Sequence, residues 1–157
     1  NCSITIELSV LPLESFPATK MAQISCFLRG KDTLICGPSR GSEELTLLVE
    51  CNADIRTHLA TYHLSREGEH ELILARSGFF HMSQQQLEQL WICPVHRHRL
   101  GKFWRESKTT CQYPKHSGEK KQVKGRDTVG FQMAKEIMTL YRECVPVGSR
   151  MFIISWF

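Results

Sequence analysis

The sequence predicts an α+β protein, a small mixed sheet with helices followed by a zinc-stabilised Cys/His knuckle module. Three observations carry this. Alternating apolar and polar runs rich in β-branched residues crowd the first half, two amphipathic helical patterns occupy the second, and a paired Cys/His spacing lies between those patterns. At 157 residues and 41% hydrophobic, the chain has enough apolar material for one domain or two small ones. No apolar run approaches the ~20 residues of a membrane helix, so no membrane partner is expected.

In chain order, Ser3 to Val10 alternates as a half-buried strand does, and Pro12 and Pro17 stop it. Met21 to Leu28 and Thr33 to Cys36 read as further strands around the turn residues Arg29-Gly30-Lys31-Asp32. After the loop from Cys36 to Ser42, Glu43 to Glu50 suits a strand better than a helix. Asp54 can cap a helix from Ile55 to about Leu64, and Glu71 to Ala75 reads as a short strand. Ser83 with Gln86 three residues on has capping-box spacing, predicting a helix from Gln84 to about Trp91 that Pro94 ends. A last helix is expected from about Thr128 to Arg142, where Phe131, Ala134, Ile137, Met138 and Tyr141 recur at helical intervals. The tail from Met151 to Phe157 is either a closing strand or a cut through a larger domain. The expected organisation is an α+β region over 1–80, a basic Cys/His module over 81–150 and an apolar tail over 151–157.

Charge is unevenly spread. The net formal charge is only +4, yet Cys93 to Arg126 holds ten basic residues against Glu106 and Glu119. A basic segment joined to an acidic half attracts polyanions in a salt-dependent way.

The chemistry-bearing pattern is Cys93-x2-His96 followed by Cys111-x4-His116. Two short chelating turns bring two thiolates and two imidazoles to one tetrahedral ion, which suits Zn²⁺, and the stiff Pro94 and Pro114 reduce the entropy lost on convergence. Cys93, His96, Cys111 and His116 are therefore the expected metal ligands, in a closed site with a structural role. His98 could replace His96, since Cys93-x4-His98 also chelates; the shorter spacing favours His96. The likeness is to zinc-binding knuckles in general, over residues 93–116, and to no single family. The competing readings are that Cys93 and Cys111 are small core residues, or that they form a disulfide in an oxidising compartment.

A weaker set, Cys26, Cys36, Cys51, His58 and His63, could form a second metal site. The nine residues between Cys26 and Cys36 are too many for one knuckle, which favours core cysteines and solvated histidines. The seven cysteines are odd in number and widely spread, which suits a reducing, intracellular compartment, the nucleus included.

Between the expected ligands, Arg97, Arg99, Lys102, Arg105 and Lys108 accompany Phe103 and Trp104. Cations interleaved with aromatics suit phosphate contact and base stacking, so Arg97, Arg99, Lys102, Trp104, Arg105 and Lys108 are the candidate nucleic-acid contacts. The expected function is a non-enzymatic zinc module binding nucleic acid, with an acidic protein surface as the alternative partner. A metal-dependent nuclease is the third reading; it lacks acidic ligands in the segment, and no nucleophile or phosphate-loop motif occurs elsewhere.

Overall fold

The computed structural model of the chain describes residues 24–65, 67–106, 111–112 and 125–152. The strand expected over Ser3 to Val10 and the end of the apolar tail lie outside the described residues.

Among the described residues the architecture is mixed α+β, with short helices and two small antiparallel sheets. Strand β1 (Thr46–Leu47) pairs with β2 (Trp91–Ile92), Thr46 opposite Ile92 and Leu47 opposite Trp91. Strand β3 (Asp127–Thr128) pairs with β4 (Arg150–Met151). The helices are α1 (Arg56–Thr61), α2 (Glu69–Arg76), α3 (Gln84–Leu87), α4 (Pro94–Leu100) and α5 (Phe131–Tyr141).

Helix α2 is the centre of the molecule. Its run Leu72-Ile73-Leu74-Ala75 is buried throughout, with Leu72 and Ala75 in one apolar cluster and Ile73 and Leu74 in the other. The first cluster packs α2 against α1 and α5, through Ile55, Leu59, Ala134 and Ile137. The second packs it against Cys26, Leu28, Leu48, Ile92 and Cys93. This explains the difference from the expected strand over Glu71 to Ala75. A helix covered on opposite sides shows a continuous apolar run, and over so short a length that run does not distinguish helix from strand. The start signal is present but begins from glycine: the Gly68 N–H donates to the Glu71 carboxylate at 2.6 Å, closing half of a capping box.

Other boundaries move for equally local reasons. Ser83 and Gln86 do form the reciprocal capping pair, but α3 is a single turn, because Trp91 and Ile92 leave it to pair with β1. Pro94 opens α4 instead of ending α3; at the first helical position its missing N–H is no loss. Thr33 to Cys36 is not a strand, and among the described residues of the strand expected over Met21 to Leu28, Cys26 alone bridges to Trp91 before consecutive turns begin at Phe27. Glu43 to Glu50 divides into β1 and a 3₁₀ turn over Leu48–Glu50.

The buried ends of α2 are polar and tie distant segments. Glu69 accepts the Ala53 N–H at 2.9 Å and pairs with Arg97 of α4 at 2.8 Å. At the other end Arg76, 2% exposed, donates to the carbonyls of Val147, Leu100 and Gly101 and to His58 Nε2, all within 2.9 Å. Its guanidinium lies over the Trp104 ring at 4.2 Å. Hydrogen bonding thus runs freely across residue 80, between the two regions expected from charge.

Candidate metal centre

Two segments 60 and 70 residues apart in sequence meet at one buried imidazole. Cys93 is the residue before the first turn of α4, and His96 sits in that turn, fully buried. Residues two apart on a helix point about 200° away from each other. His98 is accordingly turned to another face, where its Nε2 accepts from Arg40 Nε at 2.7 Å and its ring stacks on Phe103. The alternative left open by spacing is therefore decided geometrically for His96.

The partners of this pair come from the first half of the chain. Phe27 N–H donates to the Trp91 carbonyl at 2.8 Å, which docks Cys26 beside β2. Arg29 N–H to the Cys26 carbonyl and Lys31 N–H to the Leu28 carbonyl, both 3.0 Å, then reverse the chain, with Gly30 at φ +73°. Cys36 returns on the extended segment that follows, held by the Val95 N–H donating to the Gly37 carbonyl at 3.3 Å.

The ligand atoms of Cys26, Cys36, Cys93 and His96 all lie within 4.8 Å of one another. His96 Nδ1 is 2.9 Å from Cys93 Sγ, 3.6 Å from Cys26 Sγ and 3.7 Å from Cys36 Sγ. A tetrahedral ion with Zn–S of ~2.3 Å and Zn–N of ~2.0–2.1 Å separates nitrogen from sulfur by about 3.5 Å. Two of the three separations already have that value. On the far side of the ring, His96 Nε2 lies 3.0 Å from Asp32 Oδ1. With a metal on Nδ1, that carboxylate would hold the ring's remaining proton on Nε2, the arrangement by which proteins orient a metal-binding histidine. Cys26, Cys36, Cys93 and His96 are thus placed to bind a metal ion.

Without a metal the same groups form an acid–base pair, and an ion that binds must displace the Nδ1 proton. Burial raises the Cys26 thiol, but the His96 ring and the backbone N–H groups of Cys93 and Leu28 bring it down to about 7. Burial, then the neighbouring sulfurs of Cys26 and Cys93, pushes Cys36 up to about 12. Burial lowers His96, and the bonds to Cys26, Asp32 and Cys93 more than reverse that, raising it to about 10. Without a cation the cluster resists ionising all three thiols, because the thiolates repel. A divalent ion at their centre removes that obstacle.

The other expected residues are distributed differently. Cys111, expected as a ligand, is not in the cluster: its sulfur accepts the Phe152 N–H at 3.1 Å and its side chain packs against the core shared by α1, α2 and α5. The physical reason is that its neighbours are anchored to β4, where Gln112 N–H donates to the Arg150 carbonyl. His116 lies outside the described residues. The weaker set separates as well. Cys51 is a core thiol, His58 is bonded to Arg76, His63 is exposed, and only Cys26 and Cys36 reach a metal-binding geometry.

Among the candidate nucleic-acid contacts, Arg99, Lys102 and Arg105 are exposed. Arg97 is committed to Glu69, and Trp104 is covered by Arg76 and by the edge of Tyr62 at 4.9 Å. Lys108 lies outside the described residues. No described helix is long and apolar enough to cross a membrane.

Comparison with protein-family models, with curated proteins and with solved structures finds no match to this chain.

Proposed function

We propose that the chain is a zinc-stabilised, non-enzymatic module in which Cys26, Cys36, Cys93 and His96 hold one Zn²⁺ and the cations beyond α4 engage a polyanionic partner, nucleic acid. The observation that carries the metal assignment is the set of three sulfurs around His96 Nδ1 with Asp32 on Nε2. Three thiolates and one imidazole match a closed, structural zinc site, with no position left for a reacting water. Soft sulfur ligands disfavour magnesium, calcium and manganese.

The nucleic-acid reading is supported by Arg99, Lys102 and Arg105, which are exposed and form no ion pair among the described residues. It is supported also by the basic balance of 93–126. Unpaired surface cations are where counterion release from a polyanion is gained.

Metal analysis of chain purified without chelator tests the first part. The expected result is one zinc per chain, lost in Cys26→Ser and Cys93→Ser and kept in Cys111→Ser. Asp32→Ala should keep zinc at saturation yet bind it about 10- to 100-fold more weakly in competition with a chromogenic chelator. A metal-free wild type, or zinc lost from Cys111→Ser alone, overturns the site. For the second part, heparin affinity should fall steeply with salt, and the triple variant Arg99→Ala, Lys102→Ala, Arg105→Ala should flatten that slope by about two to three.

A further inference from the structure

Three clefts on the surface beyond α4 share their walls. One is lined by Ser39, Arg40, Arg97, His98, Lys102 and Phe103 among others, and has a volume of about 240 Å³. Lys102 and Phe103 also line a second of about 490 Å³, together with Thr61, Tyr62 and Arg105. Those three residues in turn line a third of about 390 Å³, which continues to Arg126 and Arg150. The three clefts are thus neighbours in one row, the groove, with Phe103 in the wall shared by the first two and Tyr62 in the wall shared by the last two. Each segment is of small-ligand size.

Among the described residues, the charge of the groove is not neutralised. Its three carboxylates are already engaged: Asp54 by Arg56, Glu69 by Arg97 and Glu106 by Arg150. Arg40, Lys102, Arg105 and Arg126 form no ion pair with a carboxylate among the described residues.

Arg40 is also placed at a conformational cost. It occupies a tight turn in which Ser39 and Ser42 exchange both backbone hydrogen bonds, with Arg40 at φ +51° and Gly41 at φ +80°. Asn, Asp and Gly are the residues that favour such a turn, and arginine in the left-handed region is uncommon. The turn brings the guanidinium over Phe103, 3.7 Å from the ring centroid.

We infer that this groove is a binding track for single-stranded nucleic acid, the backbone following Arg40, Lys102, Arg105 and Arg126 and unstacked bases entering the clefts against Phe103 and Tyr62. The inference rests on the polyanion reading above and narrows it. A duplex offers phosphates but keeps base faces stacked inside, whereas an unstacked strand can set bases against Phe103 and Tyr62, both half-buried and in walls that the clefts share. An acidic peptide would satisfy the cations and leave the two ring positions unused.

Fluorescence anisotropy of the full zinc-loaded chain tests it, with labelled dT and rU 12-mers, a duplex 12-mer, heparin and poly-glutamate as probes. Both single strands should bind more tightly than the duplex; a preference between dT and rU identifies the sugar. Phe103→Leu keeps apolar volume but removes the π-face, and should weaken the 12-mers about tenfold while weakening heparin less. Arg40→Gly relieves the left-handed backbone, so it should fold at least as well as wild type and still lose affinity for the 12-mers. Zinc content and circular dichroism confirm folding of each variant. Equal affinity for strand, duplex and poly-glutamate, or an equal loss for all probes in Phe103→Leu, overturns the groove while leaving polyanion binding intact. Binding of none of the probes overturns both.

Discussion

His58 and Arg76 show how a buried polar pair fixes protonation. Burial first, then the adjacent Arg76 charge, lowers His58 to about 4, so its neutral Nε2 accepts the guanidinium proton. Arg76 is lowered by burial to about 9 and is still charged at neutral pH. The folded His58 value lies below its ordinary 6.5. The unfolded chain therefore binds the proton first, and stability present above pH 6.5 is lost as pH falls toward 4. That amounts to about 3 kcal/mol at 1.36 kcal/mol per pH unit. Urea unfolding of wild type and His58→Gln between pH 7 and 4 should show a shallower pH slope in the variant; parallel curves would remove His58 from the acid response. The His96 pairing with Cys93 was legible in the sequence because a three-residue spacing is a local property. The other two ligands were not, since Cys26 and Cys36 become a chelating pair only through the turns and the docking on Trp91.

Elements whose signals are local kept their identity. The amphipathic pattern of α5, the Ser83 cap of α3 and Asp54, whose carboxylate accepts the Arg56 N–H at 3.0 Å at the start of α1, were readable as sequence. Helix α2 was not, because tertiary packing on both sides erased its periodicity. Its end is nevertheless chemically explicit. Phe79 N–H donates to the Leu74 carbonyl and Gly78 N–H to that of Ala75, the two bonds of a Schellman motif, with Gly78 at φ +81°. A Cβ at Gly78 would stand 2.6 Å from the end of Met138 and 3.2 Å from the Cys144 sulfur. Gly78→Ala should cost about 1–2 kcal/mol from the left-handed backbone alone, with the two side chains adding to it. Gly41→Ala, at φ +80° with open space around it, carries only the backbone cost and should melt higher than Gly78→Ala. Equal thermal shifts would mean that Met138 and Cys144 yield freely.

At the scale of the molecule, the metal centre and the α1–α5 core are coupled through α2, which contributes to both clusters and bonds to α4 by Glu69. Metal removal should therefore not loosen one half alone. Two variants, one retaining Trp91 as its single tryptophan and the other Trp104, report on opposite sides of α2. On titration with a zinc chelator both signals should change along one curve. Survival of the Trp104 environment after the Trp91 signal has collapsed would show that the α1–α5 core stands without metal. The hydrogen bonds that tie the first half of the chain to the second were not readable from composition, since they depend on which carbonyls Arg76 reaches.

The distance along the chain between the two halves of the metal centre also sets a schedule for its birth. His96 follows Cys36 by 60 residues, which at about 5–20 residues per second of synthesis is roughly 3–12 s. Throughout that interval the nascent chain carries Cys26 and Cys36 without the Cys93 thiol and the His96 imidazole that join them in the fold. During those seconds the two thiols are open to premature oxidation or to capture of a thiophilic ion, so a reducing environment protects the centre most before His96 emerges.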